Sequence, residues 1–137
     1  MNKQILVLIE GWSVSDEAVR YAHALAQRIE GRLVLLLLLH AHPSSHEAAT
    51  EVSTRGDVFL RDLIDPFDDA VAIDPHVRIG DPWSEFCKFV ATTDPFHMAV
   101  WASETGLVNG RPSVGHWVSR IQGELGCPLV TAQRRTR

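Results

Sequence analysis

Cysteine is scarce in this chain, and so is every other feature that marks a specialised class of protein. Two cysteines in 137 residues, Cys87 and Cys127, are too few to staple a small secreted scaffold, and in a reducing compartment they stay thiols. Basic charge is not in excess: 13 Lys and Arg stand against 17 Asp and Glu, a formal net charge of −4. A dedicated nucleic-acid binder shows the opposite balance, or at least a basic stripe to engage phosphates. Long apolar runs are missing too, since the longest, LVLLLLL at residues 33–39, falls far short of the roughly 20 residues that cross a bilayer. Residues 1–10 hold a single Lys and no small-residue cleavage site, which argues against a secretory leader and for a cytoplasmic protein. No repeat, low-complexity tract or linker interrupts the sequence, so residues 1–137 read as one domain large enough to bury a core.

What is present is an alternation of two periods. Residues 5–9, ILVLI, form a continuous apolar run closed by Gly11, the pattern of a parallel strand buried on both faces. Ala18, Ala22, Leu25 and Ile29 then recur at spacings of four, three and four, one face of a helix, with Ser13 and Asp16 at capping-box spacing and Gly31 at its stop. The leucine run at 33–39, bounded by Gly31 and Pro43, has strand length. A helix is expected over 45–64, with Ala48, Val52, Phe59 and Leu63 inward, Gly56 as a weak point and Pro66 beyond its end. Residues 70–79 read as a strand whose Pro75 cannot donate to a ladder, which places it at an edge. Pro82 opens a third helix carrying Trp83, Phe86, Cys87 and Val90, and residues 96–102 make a fourth strand. Val114, Trp117, Val118 and Ile121 line one face of a last helix, ended by Gly126 and Pro128 before a strand from Leu129 to Ala132. Five strands alternating with four helices predict a parallel α/β sheet covered on both faces.

In such sheets ligands bind beyond the carboxyl ends of the strands, where strand order reverses. The loops there carry Glu10-Gly11-Trp12-Ser13, His40-Ala41-His42, Gly80-Asp81-Pro82 and Ser103-Glu104-Thr105-Gly106. The first strand with Glu10-Gly11-Trp12-Ser13 and its Ala-rich helix, the Leu-Leu-His40 ending, Gly80-Asp81-Pro82, Asp94 ahead of the fourth strand, and the terminal Gly126-Cys127-Pro128-Leu129-Val130 together resemble the universal stress protein family along essentially the whole chain. The resemblance implies an open, Rossmann-like five-stranded sheet of order 3-2-1-4-5, with the Pro75 strand at an edge. It also implies a homodimer paired through the strand from Leu129 to Ala132, whose edge carries no proline after Pro128 and no charge before Arg134.

The nucleotide-binding branch of that family carries Gly-x2-Gly-x9-Gly-Ser/Thr after the fourth strand, because glycines let backbone N–H groups approach phosphates and the hydroxyl adds a donor. The gapless match here is Ala102-x2-Thr105-x9-Gly115-His116, which keeps one glycine and replaces the hydroxyl by an imidazole that can occupy the phosphate position. The acidic residue after the first strand, usually Asp in the family, is Glu10. The candidate pocket is therefore Glu10, Gly11, Trp12, Ser13, His40, Ala41, Ser103, Gly106, Gly115 and His116. The resemblance with these departures implies a universal stress protein-like protein of the stress response, non-enzymatic, without a cofactor, and acting as a dimer or through a protein partner. The alternative is a member holding ATP or AMP with Mg in a modified loop.

Trp12, Trp101 and Trp117 fall near one place in this scheme, either as packing or as rings that fill the pocket; each buries about 200 Å². His40, His42 and His46 lack an accompanying Cys or acidic cluster at ligand spacing, so no metal site is expected. Gly11-x-Ser13-x-Ser15 sits on a strand-to-helix turn but lacks the second glycine of a nucleophile elbow, and both serines are better explained as helix caps.

Overall fold

The computed structural model describes residues 3–40 and 46–131. Its main sheet is built from β1 (Gln4–Glu10), β2 (Arg32–Leu39), β3 (Ile73–Ile79), β4 (Met98–Trp101) and β7 (Leu129–Thr131), all parallel, in the order β3-β2-β1-β4-β7. The remaining strands, β5 (Leu107–Val108) and β6 (Arg111–Pro112), form a separate small hairpin. The fifth strand of the sheet is thus β7, and the expected order stands. Helices α1 (Asp16–Arg28), α2 (His46–Ile64), α3 (Pro82–Ala91) and α4 (Ile121–Leu125) supply the crossovers, with a 3₁₀ turn at Trp117–Arg120 leading into α4.

Period-two alternation divides β1 and β2 between two cores. Ile5, Val7, Ile9, Leu33, Leu35, Leu37 and Leu39 face α1 and α2, where Ala18, Ala22 and Ala26 let α1 settle close to the sheet. Leu6, Leu8, Val34, Leu36 and Leu38 face α3 and the 3₁₀ turn, against Phe86, Phe89, Trp101, Val118 and Ile121. Two-sided burial is why these strands contain no polar alternation, and each fully buried Leu contributes about 1.5–3 kcal/mol.

Several boundaries differ from the sequence expectation for local reasons. The cap of α1 is Ser15, whose hydroxyl accepts from Ala18 N–H, and not Ser13. The left-handed residue after α1 is Glu30 (φ 56°), while Gly31 is needed for space, because a Cβ there would lie 2.6 Å from the Lys3 carbonyl oxygen. β3 starts at Ile73 and β4 spans only Met98–Trp101. Val114 does not line a helix: it is 95% exposed, three residues ahead of the 3₁₀ turn that His116 caps. The start expected for α2 at Ser45 lies outside the described residues.

Gly56 is a point of close approach between α2 and the sheet. A Cβ at this position would stand 2.9 Å from Val77 Cγ1 and 3.4 Å from Leu39 Cδ1. Alanine is the better helix former by about 1 kcal/mol, yet Gly56→Ala is expected to lower stability by about 1–2 kcal/mol through overpacking. Urea unfolding checks this; a gain in stability would mean that α2 can ride away from β3 without cost.

Candidate functional site

The sheet order reverses between β1 and β4, and there the carboxyl ends of the two strands are stitched together. Ser103, buried just beyond β4, accepts from Glu10 N–H (2.6 Å) and has the Glu10 and Ser13 carbonyls at 3.2 and 3.3 Å as acceptors for its single proton. Ser15 N–H donates to the Ala102 carbonyl at 2.7 Å and Gly11 N–H to that of Leu38 at 2.9 Å. The loop from Glu10 to Ser15 is therefore fixed to both neighbouring strands, with Gly11 at φ 74° making the turn.

Into this crevice the segment after the hairpin inserts His116. Its Nδ1 accepts from Val118 N–H at 3.0 Å, so the ring proton is on Nε2, which faces Glu10 Oε1 at 3.3 Å. Trp117 Nε1 donates to the other oxygen, Glu10 Oε2. The imidazole stacks on Trp117 (centroids 5.6 Å, 29°) and meets Trp101 edge-on (5.8 Å, 72°). Below it lies Gly106 at φ 80°, where a Cβ would come within 2.5 Å of His116 Nδ1. Trp101 is 1% exposed, and its indole N–H donates to the Thr105 carbonyl at 3.0 Å, holding the loop over the crevice.

The hairpin itself was not expected from the sequence, although Asn109-Gly110 is a strong signal for it. Both residues have positive φ (51° and 75°), as a two-residue type I′ turn requires. Gly110 also accepts from Thr131 Oγ1 at 2.6 Å, tying the hairpin tip to β7.

The expected pocket residues are thus partly gathered and partly dispersed. Glu10, Gly11, Ser13, Ser103, Gly106 and His116 converge at the ends of β1 and β4. Gly115 is exposed, with no atom within 4 Å of where its Cβ would be. His40 is exposed at the end of β2, and Ala41 and His42 lie outside the described residues. Trp12 does not join Trp101 and Trp117. It lies on the opposite face of the sheet, 43% exposed, edge-on to Phe59 at 5.6 Å with the Arg55 guanidinium over its ring. Its partner role is taken by Trp83, 6.1 Å from Trp117 and under Arg120.

Among the described residues no three His, Cys, Asp or Glu side chains converge as metal ligands, and no helix is long and apolar enough to cross a membrane. Burial pushes the Cys87 thiol up, helped by the nearby Glu124 carboxylate, and burial alone pushes up Cys127. Both shifts favour the thiol over the nucleophilic thiolate.

A parallel sheet of this order, with helices on both faces and a switch point between β1 and β4, defines a Rossmann-like α/β protein. The chain belongs to the universal stress protein family, whose model matches residues 1–110. No curated protein matches it in sequence. Among solved structures, the universal stress protein UspA from Lactobacillus plantarum is similar with a TM-score of 0.66 at 13% identity, over 96% of this chain and 97% of that one. A universal stress protein family protein from Arabidopsis thaliana with AMP bound gives 0.60 at 16% identity, over 98% and 93%. A universal stress protein in complex with cAMP gives 0.61 at 15% identity, over 95% and 97%. The family match stops at residue 110, so the residues that fill the crevice from the far side, His116 and Trp117, lie beyond it.

Proposed function

We propose that this chain serves the stress response from the cytosol as a non-enzymatic universal stress protein whose crevice is closed by its own side chains, acting as a dimer and without a nucleotide. The observation that carries the reading is the Glu10–His116–Trp117 network. A phosphate cradle needs converging N–H groups with room for the anion. Here an imidazole lies against Gly106, the Val118 N–H is spent on that imidazole, and a carboxylate faces the same space. The residues present do not fit a triphosphate. Calorimetric titration of the unmutated protein with Mg-ATP is expected to show no binding tighter than about 1 mM, or about 4 kcal/mol. The second reading, ATP or AMP held with Mg by a modified loop, has in its favour the relatives solved with AMP and with cAMP. A micromolar dissociation constant would establish it in place of the first.

The dimer is assigned to the outer edge of β7. Ala99 N–H donates to the Pro128 carbonyl at 3.0 Å, so by the two-residue period Pro128 and Val130 turn their polar groups to β4, while Leu129 and Thr131 turn theirs outward. Two copies paired antiparallel through Leu129 and Thr131 close on a two-fold axis. Thr131→Pro removes one outward donor and is expected to shift sedimentation from dimer to monomer, whereas Thr131→Val, which loses only the bond to Gly110, leaves the dimer in place. Unmutated protein that sediments as a monomer at micromolar concentration would refute the assignment.

A further inference from the structure

The crevice has a chemistry of its own, and His116 reports it. Three features define the slot the imidazole fills. It is flat, with the Trp117 ring stacked on one side, the Trp101 ring edge-on, and Gly106 in direct contact. It offers one acceptor, Glu10 Oε1, and one donor, Val118 N–H, at the two ring nitrogens of an imidazole. Its charge is negative: among the described residues, Glu10 has His116 as its one ion-pair partner, and no Lys or Arg side chain pairs with it. An anion placed in this slot would face a carboxylate, whereas a ring N–H is drawn to it.

The segment that delivers the imidazole is tied at its ends, by Ser113 N–H on the Gly106 carbonyl (2.7 Å) and Ser119 N–H on the His116 carbonyl (3.2 Å), and is open between them. Val114 is almost fully exposed, and Gly115 has open space around it. Withdrawal of residues 113–116 breaks these bonds together with the contacts of the His116 ring, so the open form is a minor state that a ligand can draw on.

We propose that His116 is an internal stand-in for a ligand, and that the crevice between β1 and β4 is a site for a planar nitrogen heterocycle, neutral or cationic, with a ring N–H and a ring lone pair in imidazole-like relation. The inference rests on the closed-crevice reading and adds the ligand class that the slot selects. The ligand enters when residues 113–116 lift. Its N–H donates to Glu10, its lone pair accepts from Val118 N–H, and its face takes the stack on Trp117.

Imidazole is the probe. His116→Gly removes the ring and leaves Glu10, Val118 N–H and both indoles in place. At pH 8, where free imidazole is largely uncharged, it is expected to raise the melting temperature of His116→Gly saturably and to shift its tryptophan emission. Half-saturation is expected at about 1–10 mM, a weak affinity proper to five heavy atoms. The unmutated protein should respond in the same direction but with half-saturation at least about tenfold higher, because residues 113–116 must lift first, and no response from it would overturn the inference. In Glu10→Leu/His116→Gly the apparent affinity should fall at least about tenfold with loss of the charge-assisted bond. If His116→Gly does not fold alone, His116→Ala is used, and restoration of cooperative melting by imidazole in either variant counts the same way.

A folded variant that imidazole leaves unchanged, an unfolded pair that it does not restore, an equal response from the unmutated protein, or inorganic phosphate stabilising the variant as well as imidazole would each overturn the inference. None of these bears on the closed crevice itself, which fails only if the unmutated protein binds Mg-ATP tightly.

Discussion

Trp101→Ala is expected to cost about 3–5 kcal/mol of folding stability, a large share of the roughly 5–15 kcal/mol that holds a domain of this kind together. Trp101 ends β4, pairs in register with Leu8 on one side and Thr131 on the other, and is 1% exposed. Three losses coincide on truncation. The ring leaves a cavity against Trp117, 5.2 Å away between centroids, the Thr105 carbonyl loses its indole donor, and His116 loses the edge it meets. Trp101→Phe keeps most of the volume and should lose only about 1–2 kcal/mol, mainly the hydrogen bond. Urea unfolding of the two variants separates the terms. A loss below about 1 kcal/mol for the alanine variant would mean that the loop repacks and that this ring does not hold the crevice shut.

Gly106→Ala should have the second largest effect, about 2–4 kcal/mol, and should also open the crevice. A side chain at φ 80° is strained by about 1–3 kcal/mol, and the new methyl would overlap the His116 ring at 2.5 Å, a contact the ring can relieve only by leaving Glu10. The readout is stability together with amide exchange at Val118, whose N–H loses its acceptor when the imidazole moves. Gly115→Ala, one residue from the ring but with open space and no positive φ, is the control and should be neutral or slightly stabilising. Equal losses at the two glycines would show that loop flexibility, not the His116 contact, is what the substitutions disturb.

The sequence is most legible where one physical demand dominates. Two-sided burial forces the unbroken apolar runs of β1 and β2, and a missing donor forces Pro75 to the edge strand, where β3 is found. The crevice is legible only in outline. Motif spacing brings Glu10 and His116 to the same end of the sheet, but their contact across 106 positions depends on side-chain directions that no period encodes. Trp12 shows the same limit: its place in the chain is at the crevice, while its ring turns to Phe59 on the other core. Val114, Trp117, Val118 and Ile121 have helical spacing, yet Gly115 breaks the turn and the His116 side chain caps the 3₁₀ turn at Trp117–Arg120. The hairpin escaped because its strands are two residues each, too short to show alternation, so that Asn109-Gly110 was the whole of its signal.

The order in which the pieces lie along the chain has a consequence for biosynthesis. β1 to β4, Gly106 and Gly110 all precede residue 111, and the imidazole, the indole that stacks on it and the covering strand β7 all come later. As the chain leaves the ribosome, the first four strands can assemble while β4 is still an unprotected edge and Trp101 is still uncovered. Such a nascent intermediate exposes both unpaired backbone and an aromatic surface, the two features that recruit chaperones or invite aggregation. The stretch from residue 111 through β7 therefore closes the crevice and, in the same event, covers the β4 edge and the Trp101 ring.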